Sequence, residues 1–290
     1  MSRVSDHTVP KAKPAKLDDL PRLVVGQPEV GVPLGPASAT TLIIATLIGL
    51  VMVAWPLLVP VPAGATRQAT DAPLAFALLL PMIIAVVLAQ LSERGMDTRS
   101  LAMLGVLSAL NAAIRPALSA GTAGIEAVFF LLVLAGRAYG AGFGFVLGCT
   151  SLLASALLTG GVGPYLPFQM MFAAWIGCGA GLLPRRVRGV GEIVMLVGYV
   201  AVAAYAFGAL MNLWFWPFVT GSATPEGIAP GGLDYVPGAP LGDNLARFLT
   251  FTLLTSTLGW DTGRAVANGL FIAVLGAPVL AVLRRATRGG

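Results

Sequence analysis

Apolar stretches long enough to cross a membrane follow one another along the chain, separated by short breaks rich in Gly, Pro or charge. A span needs about 20 apolar residues. On that ruler the pattern predicts helices over 39–60, 73–91, 101–118, 122–136, 140–159, 167–183, 192–214 and 263–283. Pro56 and Pro81 fall inside the first two, which membrane helices tolerate when neighbours re-satisfy the freed carbonyls. The stretch NLARFLTFTLLTSTLG at 244–259 is shorter, Thr-rich and carries Arg247, so it reads as a re-entrant or interfacial helix. Residues 1–36 are polar, Pro-rich and without periodicity, and are expected to form a disordered tail. The first long apolar run begins near residue 39 with a spanning length, so no signal peptide is expected.

Composition sharpens this picture. Of the 290 residues, 57% are hydrophobic and 11% charged. Soluble domains carry about 25% charged residues, so this chain lacks the polar groups to cover a water-facing surface. From Leu101 to Leu183 the formal charges are Arg115, Glu126 and Arg137 alone. The expected fold class is therefore all-α, a polytopic membrane protein whose first partner is the lipid bilayer.

The same composition excludes several functions. Cys149 and Cys178 fall in apolar helical stretches without CxxC spacing and read as small core residues. The single histidine, His7, lies in the polar tail, so haem ligation and a His-based metal site are not expected. No GxxxxGK[ST] loop is present, so any ATP that drives this protein is hydrolysed by another chain. No cofactor, no metal and no nucleic-acid partner is expected.

Eight crossings put both termini on one side, and positive charge decides which. With the N-terminal tail, 92–100, 137–139, 184–191 and the C-terminus in the cytoplasm, Arg67, Arg247 and Arg264 fall outside and Arg115 within the membrane. Every other Lys and Arg falls inside, PRRVRG at 184–189 and RRATR at 284–288 most plainly. The connection 217–243 has no Lys or Arg, as an outer loop should.

Under that topology the unusual residues gather at the outer side. The loop GGVGPYLPF brings Tyr165 and Gln169 to the mouth of a helix that Pro167 opens, and Arg115 lies near the outer end of its own span. Glu126 lies about one turn into the next helix. Asn212, Trp214 and Trp216 end the seventh span, and Trp260, Asp261, Arg264 and Asn268 begin the last. An ionisable residue in a bilayer costs about 2.5–3.5 kcal/mol and needs a partner or a wet cavity. Arg115 and Glu126 can pair across a hairpin or line a solute cavity. Asp261 can cap the last helix. The tryptophans suit either an interfacial belt or a cavity that stacks on an aromatic solute.

Two small-residue patterns complete the reading. Gly140, Gly144 and Gly148 on one helix, and Ala173, Gly177 and Gly181 on another, allow close backbone approach in lipid. Gly105, Ala109, Ala113 and Ala117 form a flat stripe that serves either a neighbouring helix or a docking partner.

The runs SLAMLGVLSALNAAIRPALS, GPYLPFQM, LMNLWFWPF and LGWDTGRAVANG, within residues 100–288, resemble the substrate-binding S component of energy-coupling factor transporters, a class of ABC importer. The likeness is nearest to actinobacterial members grouped with cobalamin or related vitamin uptake. It implies a six-helix membrane core over 100–290 and two additional N-terminal transmembrane helices over 37–99. It further implies a non-enzymatic subunit that captures a vitamin-like solute from outside and docks on a transmembrane coupling subunit with two cytoplasmic ATPases. Family members dock through an AxxxA-type motif, which Ala109 and Ala113 match and Ala117 extends. The resemblance does not name individual ligands; from chemical type and placement at the outer side, the expected substrate-binding set is Arg115, Glu126, Tyr165, Gln169, Asn212, Trp216, Trp260, Arg264 and Asn268. Two rivals fare less well. An autonomous secondary transporter needs internal repeats and a midplane ion site, and neither is visible. A membrane enzyme needs clustered acids or histidines, whereas Glu226, Asp234 and Asp243 are scattered.

Overall fold

A computed structural model describes residues 36–58, 80, 81, 83–85, 87, 98–119, 125–218 and 232–288. Among them the chain is all helical, without strands. The expected tail over 1–36, apart from Pro36, which begins the first helix, lies outside the described residues, as do most of the predicted second span and the loop 219–231. Those of the second span that are described are helical.

The helices are α1 (Pro36–Leu58), α2 (Thr98–Ser119), α3 (Phe130–Tyr139), α4 (Ala141–Thr159), α5 (Leu166–Leu182) and α6 (Val190–Phe215). A single 3₁₀ turn, Trp216–Phe218, follows α6. Then α7 (Leu241–Thr252), a π-helical stretch (Leu253–Asp261) and α8 (Thr262–Arg288) run on without a break. Among the described residues three helical segments are long and apolar enough to cross a membrane: Ala141–Thr159, Val190–Phe215 and the continuous Leu241–Thr287. Val190, Val194 and Val202 on α6, and Val266, Leu270 and Val274 on α8, stand exposed. A water-soluble surface does not present apolar side chains in such rows; lipid accepts them.

Helices α4 and α5 meet backbone to backbone. A Cβ added at Gly144 would collide with the Gly177 carbonyl, and one at Gly148 with the Ala174 backbone. The small-residue spacing in the sequence thus serves packing within the bundle, where close approach replaces the hydrophobic drive that lipid removes. Helix α3 is the innermost: every residue but Arg137 is buried. Helix α2 packs on α4 with Leu104, Leu107, Ser108, Asn111 and Ala112 inward, while Val106, Ala109, Leu110 and Ala113 face outward. Helices α6 and α8 lie antiparallel, Gly208 against Asp261 at one end and Glu192 on Arg284 at the other. Helix α1 joins the flank of α5, where Trp175 Nε1 donates to Thr46 Oγ1 at 3.0 Å.

Two expectations are corrected. The predicted span 122–136 begins as non-helical chain over 125–127, turns at 128–129, and becomes helical only from Phe130. Its ten helical residues rise about 15 Å, half of a hydrocarbon core of about 30 Å. The helix starts late because the Asn268 side chain accepts the N–H groups of Phe129 and Phe130, the second of which also makes a turn bond to Ala127 O at 3.3 Å. It then continues through Arg137 to Tyr139, so the expected loop at 137–139 is its last turn, and the left-handed φ of Gly140 makes the break.

The segment 244–259 is not a separate re-entrant helix. It belongs to one helical run of 47 residues, about 70 Å at 1.5 Å per residue. The π-helical register loosens the backbone without reversing it, because hydroxyls occupy freed carbonyls: Thr255 donates to Phe251 O at 2.7 Å and Thr262 to Thr257 O at 2.6 Å. Helix α7 holds the segment 232–240: Asn244 bonds both backbone groups of Val236, and Arg247 donates to Gly232 O.

Candidate functional site

One end of the bundle is assembled from the C-termini of α2 and α4, the N-terminus of α5 and the extended lead-in to α3. Between them lies a cavity of about 200 Å³ whose lining includes Arg115, Glu126, Ser155, Thr159, Tyr165 and Gln169. Local sequence explains the opening. Helix α4 stops at Gly160 with a left-handed φ of 65°. The chain then turns through 161–165, where Tyr165 Oη donates to Gly161 O at 3.0 Å, and Pro167 opens α5. A Cβ at Gly163 would strike the Tyr165 ring, so glycine there lets the tyrosine fold back over the mouth.

The walls are charged on both sides. Glu126 Oε2 accepts from Arg264 Nε at 3.2 Å, and Arg264 Nη1 also donates to Asp261 Oδ1 at 3.2 Å. The guanidinium of Arg264 lies 5.5 Å from the Phe207 ring centroid, which adds a cation–π contact. Asp261 is fully buried and takes a second bond from Ser256 Oγ at 2.7 Å. It is not the N-cap expected at the start of the last helix, because the helix does not start there.

Of the two readings open for Arg115 and Glu126, the ion pair is not formed and both line the cavity: Glu126 is held by Arg264, and Arg115 has no hydrogen-bond or ion-pair partner among the described residues. Below the cavity, α2 and α4 share a polar seam. Ser108 and Thr150 hydroxyls lie 2.7 Å apart, and Asn111 Nδ2 donates to Ser151 Oγ at 3.1 Å. Ser155, 1% exposed, lines the cavity with its hydroxyl unpartnered.

The structure thus gathers Arg115, Glu126, Tyr165 and Gln169 around one cavity, with Arg264 joined to it through Glu126. Asn268 stands elsewhere in the scheme. Its Oδ1 accepts from Phe129 and Phe130 at 3.0 and 2.8 Å, and its Nδ2 donates to Glu126 O at 2.6 Å and Arg264 O at 2.8 Å. An amide has two acceptor and two donor positions, and all four are used, so Asn268 shapes the site without capacity for a solute. Trp216 is buried away from the cavity, donating to Leu233 O at 2.7 Å and packing on Tyr235 and Phe248. Trp260 is 44% exposed on the π-helical stretch. Asn212 does not line the cavity, and its buried Nδ2 has no partner among the described residues. Ala109 and Ala113 are exposed on α2, with Ala117 further along the same helix.

At the opposite end stands a cluster that the sequence reading missed. Glu192 accepts from Arg137 Nε and Arg284 Nη2, each at 2.5 Å, and Arg137 also donates to the carbonyls of Leu183, Pro184 and Val187. It ties α3, α6, α8 and the α5–α6 turn together. Ser155, Thr159 and Asn111 were also missed. Their signal was present in the register of Ser108, Asn111 and Arg115 on α2 and of Ser151, Ser155 and Thr159 on α4. Among the described residues no His, Cys, Asp and Glu cluster has the makings of a metal site. Comparison with protein families, curated proteins and solved structures finds no match.

Proposed function

We propose that this chain is the solute-capture subunit of an energy-coupling factor type importer, a multi-pass membrane protein with both termini in the cytoplasm. The observation that carries the reading is the cavity at one bundle end, where Glu126, Tyr165, Gln169 and Arg115, the last without a partner among the described residues, converge on the buried hydroxyl of Ser155. The two stretches most specific to the resemblance meet there: GPYLPFQM supplies Tyr165 and Gln169, and LGWDTGRAVANG supplies Arg264 and the Asn268 clamp. Glu126 joins them. Arginine-rich 184–189 and 284–288 lie at the other end, which positive-inside charge bias assigns to the cytoplasm, so the cavity faces outward.

In this reading the chain binds a vitamin-class solute and passes it on without catalysing a reaction. The outward face of α2, flat at Gly105, Ala109 and Ala113, is offered to a membrane-embedded coupling subunit. Energy comes from two ATPases on that partner, since this chain carries no phosphate-binding loop. The test is affinity purification of the full chain from its own cells. A coupling subunit and ATPases recovered in fixed stoichiometry support the proposal; purified chain that alone concentrates a solute inside vesicles overturns it.

A further inference from the structure

We infer that the cavity takes a small carboxylate bearing an N–H donor, its carboxylate on Arg115 and its donor toward Glu126. The inference rests on the capture reading and names the solute class for the same site. Arg115 is the only charged group lining the cavity without a partner among the described residues, since Glu126 is already held by Arg264. A guanidinium in an apolar bundle calls for an anion, and its planar fork matches a carboxylate with two parallel bonds.

Independent of that charge, Ser155 is 1% exposed and its hydroxyl, on the cavity lining, has no partner. A buried polar atom left unpaired is costly, and a bound acceptor removes the cost. Gln169 adds an amide that bonds no other described side chain, so the mouth offers both a donor and an acceptor. Glu126 keeps acceptor capacity beyond its single bond from Arg264, which favours a ligand N–H over a second anion on that wall.

The cavity, about 200 Å³, equals the liquid volume of about seven waters at ~30 Å³ each, so it seats a molecule or ligand part of roughly ten non-hydrogen atoms.

The experiment measures the thermal unfolding midpoint of the full chain in detergent with 4-aminobenzoate or its neutral isostere 4-aminobenzamide. The carboxylate is expected to raise the midpoint at a concentration at least tenfold lower than the amide. Arg115→Gln is expected to abolish that preference, and Ser155→Val to weaken binding of the carboxylate. Equal response to both probes, weakened by Ser155→Val and indifferent to Arg115→Gln, overturns the carboxylate class and leaves the capture site standing. Response to the probes unaffected by Ser155→Val, Gln169→Ala and Arg115→Gln alike overturns the capture site itself. No response to either probe overturns the inference.

Discussion

Arg264 Nε stands 3.2 Å from Glu126 Oε2, and this contact joins the last helix to the non-helical lead-in of α3. The two side chains are 16% and 13% exposed, between the regimes of surface and buried pairs. Coupling of about 1–2 kcal/mol is therefore expected. In a double-mutant cycle of Glu126→Gln and Arg264→Gln, read by unfolding in detergent, the effects should be non-additive by that amount. The same cycle on Glu126 and Arg115 should be close to additive, which distinguishes the observed pair from the one that sequence proximity suggests. Equal coupling in both cycles would refute the geometry.

Gly208 lies where a Cβ would overlap the Asp261 carboxylate. Gly208→Ala should destabilise the fold by about 1–3 kcal/mol through overpacking. Gly198 on the same helix, with open space at its Cβ position, supplies the control. An alanine there should be neutral or slightly stabilising. If the two variants unfold at the same midpoint, Asp261 is not seated against α6.

The side chains of the Arg137–Glu192 pair at the other end are each 3% exposed, Arg137 showing mainly backbone to the surface. Arg137→Met leaves a buried carboxylate with Arg284 alone and removes a donor from three carbonyls, of which Pro184 O keeps the Val187 N–H, a loss expected to be about 3–5 kcal/mol. Arg284 is 25% exposed, so Arg284→Met should cost less than Arg137→Met. The ranking is read from unfolding midpoints, and its reversal would contradict the assigned roles.

Ala109→Trp and Ala113→Trp replace outward-facing residues on α2. Stability of the isolated chain should change by less than about 0.5 kcal/mol. Recovery of coupling subunit and ATPases in a pull-down should fall at least tenfold. Undiminished recovery removes α2 as the docking face.

How much of this was legible in the sequence depended on the kind of information each feature needs. Apolar length located α4, α5 and α6 to within two residues of their observed bounds, because lipid imposes a fixed ruler. The same ruler failed at α3, whose start is set by Asn268, more than a hundred positions away. It also divided the run from α7 to α8, because glycines and threonines near 255–263 resemble a break while their hydroxyls satisfy a π-helical backbone.

Within the site, Arg115, Glu126, Tyr165 and Gln169 were found from chemical type and position at helix ends. The pairing of Glu126 was not, since Arg264 comes to it across the tertiary fold. Trp216 shows the opposite limit: its side chain looks like a ligand-stacking platform and is instead consumed by Leu233 and two rings.

The most direct test of the central claim is native mass spectrometry of the full chain purified without added solute, wild type beside Ser155→Phe. The bulky side chain fills the cavity from a position whose hydroxyl has no partner among the described residues. Capture at this site predicts that the wild type retains a small molecule and that the folded variant retains none. The same molecule at equal occupancy in both, or an empty wild type, would contradict it.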